Sequence, residues 1–266
     1  MRKIHKALTI AGSDSGAGAG IQADLKTFAA LGVYGTSVIT AITAQNTRGV
    51  TDIFELSPEL VAAQIDAVMQ DIGADAVKTG MLSNSAIIEV VAEKIREHHI
   101  VNLVVDPVMV AKSGDLLLRA DAIEALKSRL IPLAMIVTPN LPEAEQLTGI
   151  HGTRVEDIKD AARKILDMGA KSVVIKGGHR KGPATDLFYD GKKFRSFSSA
   201  RIATRNTHGT GCTFSAAIAA NLAKGEKLEQ AVAHAKTYMT RAIRKSFAIG
   251  AGHSPVHHFH NFWNKR

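Results

Sequence analysis

The sequence predicts a doubly wound α/β fold, a mostly parallel central sheet with helices on both faces, and three observations carry that prediction. Short apolar runs alternate with longer segments of helical spacing along the whole chain, a rhythm that builds parallel βαβ units. Each apolar run ends in a Gly-rich or polar cluster, as a strand does where its carboxyl end opens into a loop. Asp190-Gly191 stands between the runs 186–189 and 193–197, which makes them an antiparallel hairpin near one edge of the sheet.

The elements follow in order. Leu8-Thr9-Ile10-Ala11 is the first strand and runs into Gly12-Ser13-Asp14-Ser15-Gly16. Val38-Ile39-Thr40-Ala41-Ile42 is the second and ends toward Gln45-Asn46. Ser57-Pro58 supplies an N-cap and a first-turn proline for a helix over 59–71. Ala76-Val77 meets Lys78-Thr79-Gly80-Met81, and Leu103-Val104-Val105 meets Asp106-Pro107-Val108-Met109. Ala134-Met135-Ile136-Val137 meets Thr138-Pro139-Asn140, and Val173-Val174-Ile175 meets Lys176-Gly177-Gly178-His179. Segments 85–98, 120–130, 155–168 and 228–245 carry apolar spacing nearer 3.6 than 2 and are read as helices. No repeat, low-complexity tract or Pro/Ser-rich linker divides the chain, so one domain is expected over residues 1–266.

The composition excludes several classes. Of 266 residues, 45% are hydrophobic and 22% charged, the balance of a chain with a sizeable core rather than of disorder. No apolar run approaches the ~20 residues that span a bilayer, and no signal peptide is readable behind Met1-Arg2-Lys3. A single cysteine, Cys212, allows no internal disulfide, and a reducing cytoplasm is the expected location. The net charge of +8 serves solubility or draws in a phosphorylated substrate. With 5% aromatic residues and no basic run, nucleic acid is not an expected partner.

Gly18-Ala19-Gly20-Ile21-Gln22-Ala23 has the spacing of a dinucleotide fingerprint, but the next strand ends in Gln45-Asn46 rather than in a ribose-binding acid. No Walker A motif is present. The better phosphate device is Asn206-Thr207-His208-Gly209-Thr210-Gly211-Cys212-Thr213, a glycine turn that opens a helix of small residues ending at Lys224-Gly225. Backbone N–H groups at such a start point at an anion, and the helix dipole adds to their field. The same position lowers a cysteine's pKa toward thiolate, although by position alone Cys212 reads equally well as a small buried apolar residue.

Residues 12–24, Ala44-Gln45-Asn46-Thr47, Lys78-Thr79-Gly80-Met81, Asp106-Pro107-Val108-Met109, Asn140-Leu141-Pro142-Glu143, Lys176-Gly177-Gly178-His179 and the glycine turn together resemble the bacterial hydroxymethylpyrimidine/phosphomethylpyrimidine kinases of thiamine synthesis. The resemblance runs in order along nearly the whole chain. It implies a ribokinase-like fold, here without a developed β-lid, since no insertion after the first strand is long enough for one. Sugar kinases of that superfamily carry an aspartate after the glycine turn. Cys212 in its place implies a branch shared with some pyridoxal kinases.

The resemblance also implies roles. Gly209, Thr210 and Gly211 would hold the transferring phosphate, and Cys212 as thiolate would orient or deprotonate the substrate hydroxyl. Lys176 would offset charge on the ATP phosphates, and Asp106 with Glu143 would organise Mg²⁺ through water. On the residues alone, Asn140 and Glu143 are no more than a helix start with an acid in its first turn. Gly12, Asp24, Gln45, Met81 and Val108 would line the pyrimidine pocket, with the Gln45 amide matching the ring's polar edge. Taken singly, Asp24 is a first-turn helix acid and Met81 a gap-filling core residue.

Ala111-Lys112-Ser113-Gly114-Asp115 is a flap over substrate or an ordinary exposed turn. The tail holds four of the eleven histidines, His253, His257, His258 and His260, and is read as structural. Without a lid, closure falls to loops or to a partner subunit, so a homodimer is expected. The leading function is an ATP-dependent kinase acting on 4-amino-5-hydroxymethyl-2-methylpyrimidine and then on its monophosphate. A pyridoxal kinase is the nearest alternative. A non-catalytic sensor on the same fold would be expected to lose Cys212, Lys176 or a turn glycine.

Overall fold

The computed structural model describes residues 3–109, 120–178 and 182–263. The expected flap at 111–115 and His179 lie outside the described residues. Among the described residues nine strands form one sheet: β1 (Lys6–Asp14), β2 (Tyr34–Gln45), β3 (Val50–Glu55), β4 (Ala76–Thr79), β5 (Leu103–Val105), β6 (Ile136–Val137), β7 (Val173–Ile175), β8 (Ala184–Tyr189) and β9 (Phe194–Ser199). Their order is β3-β2-β1-β4-β5-β6-β7-β8-β9. From β2 to β7 all neighbours are parallel, whereas β3 pairs antiparallel with β2 at one edge and β8 and β9 continue the sheet with antiparallel pairings at the other. The Asp190-Gly191 hairpin forms as expected, with Tyr189 opposite Phe194.

Strand residues alternate between two cores. Leu8, Ile10, Val77, Leu103, Val105, Val137, Val173 and Ile175 face one side. There they meet α2 (Pro58–Asp71), α3 (Ser85–Glu97), α4 (Ala120–Ala125), α5 (Leu141–Thr148) and α6 (Val155–Asp167). Ala7, Ala76, Val104, Ile136 and Val174 face the other, under α1 (Gly20–Ala30), α7 (Thr210–Ala223) and α8 (Leu228–Arg244). Both faces are covered, which is why the inner strands read as continuous apolar runs. From Thr213 to Ala223 every residue of α7 is buried, so its small side chains let it lie close to the equally small Ala7 and Ala76.

Two expectations need correction. The helix read over 120–130 is α-helical only to Ala125, then widens into a π-turn (Leu126–Leu130) and a 3-10 turn (Ile131–Leu133). Pro132 has no N–H with which to continue a regular helix. β3 was not foreseen, because its largest apolar side chain, Phe54, is 68% exposed and the segment lacks a core-facing run. It continues the sheet rather than leaving it, so no lid develops there. No helix among the described residues is long and apolar enough to cross a membrane.

Candidate active site

The chain leaves β1 for β2 on one side and later crosses to β4 on the other, so the strand order reverses between β1 and β4. The carboxyl ends of those strands border a cleft of about 660 Å³, the place where open α/β sheets bind ligands. Gly12, Gln45, Met81, Val108, Asp106, Glu143, Lys176, Gly209, Thr210, Gly211 and Cys212 all line it.

Two glycine loops meet on one wall. Asp14, at the end of β1, accepts from the N–H groups of Gly16 (2.8 Å), Gly18 (3.0 Å) and Ala19 (2.8 Å), and from His208 Nε2 at 3.0 Å. Burial pushes Asp14's carboxyl up, but His208 and these N–H groups outweigh it and hold it below the usual carboxylate range. Across this contact Gly209 has φ +75°, and a Cβ there would lie 1.8 Å from the Gly18 carbonyl oxygen. Gly209 is the N-cap of α7, with no side-chain cap. The first-turn N–H groups of Gly211 and Cys212 therefore have no intrahelical partner and stand at the positive end of the helix. Such an arrangement can cradle an anion.

A cation faces it. Lys176 Nζ lies 3.3 Å from where a Gly211 Cβ would be, 2.9 Å from Asp106 Oδ1 and 3.9 Å from Glu143 Oε2. Burial lowers the lysine's pKa, but the two acids prevail and keep it protonated. Asp106 is buried, with Thr138 (2.9 Å) and Ser215 (3.1 Å) also donating to it. Burial raises its pKa, Lys176 and Lys78 lower it, and the cations win. Glu143 closes a capping box with Asn140 at the start of α5. Burial pushes its carboxyl up to about 7 against the pull of Lys176, the mark of an acid short of positive charge.

Cys212 corrects an expectation. It is half-buried on the cleft wall in the first turn of α7, and its sulfur also accepts from the Gly20 N–H at the start of α1. That position predicted a lowered pKa. Instead, burial pushes the thiol up to about 11, with Lys78 pulling the other way. With its pKa so placed, Cys212 is a thiol at neutral pH.

Asp24 is a second correction: it does not line the cleft. It is fully buried behind the wall, where its Oδ2 accepts from Thr9 Oγ1 (2.6 Å) and Lys78 Nζ (2.8 Å). The other substrate-side residues, Gly12, Gln45, Met81 and Val108, do reach the cleft. Gln45 Oε1 takes only a 3.1 Å bond from Thr43, and Met81 packs against Gly12, whose missing Cβ would sit 3.0 Å from its sulfur. Of the tail histidines, His257, His258 and His260 are buried and His253 is exposed. His258 bonds Thr213 Oγ1 at 3.0 Å, its carbonyl accepts from Tyr238 at 2.7 Å, and burial lowers its pKa to about 3.

Sequence reasoning gave no role to Lys78, Asp14 or His208, all of which line the cleft. Lys78 had a signal: a charge between Val77 and Thr79 in an otherwise apolar strand demands a buried partner.

Known proteins match this arrangement. The phosphomethylpyrimidine kinase family profile matches residues 14–257. The chain is 57% identical over 262 residues to the hydroxymethylpyrimidine/phosphomethylpyrimidine kinase of Rhizobium meliloti, covering 97% of this chain and 98% of that one. It is 54% identical over 252 residues, 94% of this chain, to the thiamine biosynthesis bifunctional protein of Geobacter sulfurreducens, and spans 51% of that longer protein. Among solved structures, phosphomethylpyrimidine kinase from Clostridium difficile 630 superposes with a TM-score of 0.81 at 48% identity, covering 91% of this chain and 100% of the other. A Bacillus subtilis pyridoxal kinase in complex with ADP gives a TM-score of 0.91 at 44% identity over 98% and 100% of the two chains. The fold is thus ribokinase-like. A profile match that takes in both walls of the cleft, from Asp14 to the far side of Cys212, makes this chain a member of the phosphomethylpyrimidine kinase family.

Proposed function

We propose that this kinase transfers the γ-phosphoryl group of ATP to the hydroxymethyl oxygen of 4-amino-5-hydroxymethyl-2-methylpyrimidine, and then phosphorylates the resulting monophosphate. The observation that carries this reading is the convergence, in one cleft, of the anion cradle at the start of α7, the Lys176 cation and the amide of Gln45. Phosphoryl transfer asks a protein mainly for positioning and charge neutralisation. Gly209, Thr210 and Gly211 hold the transferring phosphate, and Lys176 balances charge on the nucleotide. Cys212 orients the hydroxymethyl group and takes its proton. Gly12, Met81 and Val108 shape the ring pocket, and Gln45 answers its polar edge.

Asp106 and Glu143 suit Mg²⁺: both are hard oxygen donors on the cleft wall beside the start of α7, and a further cation there would favour the ionised form of Glu143 that burial disfavours. When bound, the ion neutralises charge on the phosphate oxygens. The test of the whole reading is ADP release measured on hydroxymethylpyrimidine, its monophosphate, pyridoxal and ribose side by side. Turnover confined to pyridoxal would overturn it in favour of a vitamin B6 kinase.

Gln45→Leu should raise KM for the pyrimidine by roughly five- to a hundredfold and leave KM for ATP nearly unchanged, since unpaired polar groups in a closed site cost about 1–3 kcal/mol. Equal changes in both constants would mean that Gln45 shapes the loop rather than the ring contact.

The second copy of a homodimer is assigned to the β3 edge. There Phe54 of the edge strand β3 (68% exposed) and its register partner Ile42 of β2 (50%) form an exposed apolar pair across the last two strands of the sheet. A bare edge of that kind invites pairing. Sedimentation should show a dimer that Phe54→Glu converts to a folded monomer. A monomeric wild type sinks the assignment. The single cysteine and the proposed use of ATP support a cytoplasmic setting for the reaction.

A further inference from the structure

Lys78 is a fully buried ammonium in a strand whose every residue is buried. A buried ion pair adds little stability compared with apolar packing of the same volume. This one is also incompletely satisfied. Both bonds to Asp24 fall on Oδ2, and Oδ1 is buried with no partner among the described residues. Yet Lys78 reaches the wall of the cleft that Cys212 also lines, while Asp24 stays behind it. The sulfur thus has three sources of positive potential: the start of α7, the Gly20 N–H at the start of α1, and the ammonium of β4.

We propose that Lys78, held in place by Asp24, is a positioning residue of the transfer: its ammonium is the counter-charge that lets the Cys212 sulfur exist as thiolate and take the substrate's proton. The role rests on the kinase reading of the cleft. The step balances as follows. The hydroxymethyl O–H bond breaks and its proton passes to the thiolate, forming S–H. The oxygen bonds the γ-phosphorus, the bond from that phosphorus to the β–γ bridging oxygen breaks, and ADP leaves with the electron pair. The thiol then returns its proton to water.

Four charged groups bear on the sulfur. Lys78 from β4 and Lys176 after β7 favour the thiolate, and Asp24 from α1 and Asp106 after β5 oppose it. Burial pushes the thiol up most strongly, the two acids add to it, and Lys78 is the largest influence against them.

Cys212 is the only cysteine, so alkylation by iodoacetamide reports this thiolate and no other. Below the thiol pKa the rate at fixed pH follows its acidity. At pH 8, Lys78→Met should slow alkylation at least tenfold, because the buried Asp24 then takes up a proton and the sulfur loses its largest counter-charge, with only the start of α7, the Gly20 N–H and Lys176 left to favour the thiolate. Asp24→Asn leaves the ammonium unshared and should speed alkylation several-fold. Opposite signs are the signature, since a pair that merely held the fold would expose the thiol in both variants. Should Lys78→Met not fold, the neutral double variant Asp24→Asn/Lys78→Met carries the same expectation of slower alkylation. Thermal melts verify folding. Shifts of the same sign in the two single variants, or a double variant that alkylates as fast as wild type, would overturn the role. Because alkylation needs no turnover, a failure here is separate from a failure of the ADP-release assay.

Discussion

Cys212→Ala should yield a folded protein whose kcat is on the order of 10²–10⁴-fold lower, with KM for both substrates nearly unchanged. The residue sits at a helix start on the cleft wall, and removing one sulfur there leaves a void that opens to solvent, so the melting temperature should fall only modestly. Cys212→Ser is nearly isosteric, but a hydroxyl does not ionise near neutral pH, and turnover should stay close to that of the alanine variant. The pH profile separates chemistry from packing. With the thiol pushed up to about 11, the thiolate fraction rises about tenfold per pH unit throughout the neutral range, and kcat should rise with it. Cys212→Asp supplies a base that ionises far lower, so partial activity should return with a flat profile above neutrality. A well-folded serine variant with near-normal turnover would make Cys212 a packing residue and leave the proton to another group.

The architecture was legible because its signals are local and repeated. Strands such as Leu103-Val104-Val105 are buried on both faces and bounded by polar clusters, and Ser57 does cap α2 through the Leu60 N–H. The glycine turn was legible for the same reason, since a small-residue helix opened by glycines has few other uses. What the chain could not disclose are effects that depend on who stands behind whom. Position in the first turn argues for an acidic thiol at Cys212, and burial, visible only in three dimensions, argues harder in the opposite direction. Asp24 belongs to a motif whose members Gly12, Ser13, Asp14, Ala19 and Gly20 reach the cleft, but it lies on the inward side of α1, where Thr9 and Lys78 claim it. The bond between Asp14 and His208 joins residues separated by 194 positions, and no spacing rule reaches that far.

That long-range bond sets up the second large effect, expected of Gly209→Ala. The substitution meets two obstacles at once: a φ of +75°, which an L side chain rarely adopts, and a carbonyl oxygen, that of Gly18, 1.8 Å from the new Cβ. The backbone strain costs roughly 1–2 kcal/mol. The clash cannot be relieved by a side-chain rotation, because the obstacle is backbone, so the two glycine loops must part. Parting them pulls on the 3.0 Å bond from His208 to Asp14 and shifts the Gly211 and Cys212 N–H groups relative to Lys176. A displacement of about 1 Å at reacting groups costs on the order of 10²-fold in rate. Gly209→Ala should therefore lower kcat/KM for ATP by about 10²-fold or more. Gly32→Ala isolates the strain from the clash: Gly32 has φ +74° with nothing within 4 Å of a new Cβ. It should lose a few degrees of melting temperature and no activity. Kinetics and melts on the two variants decide the matter. If Gly209→Ala turns over as well as Gly32→Ala, the loops separate without consequence, and the start of α7 is not what holds the transferring phosphate.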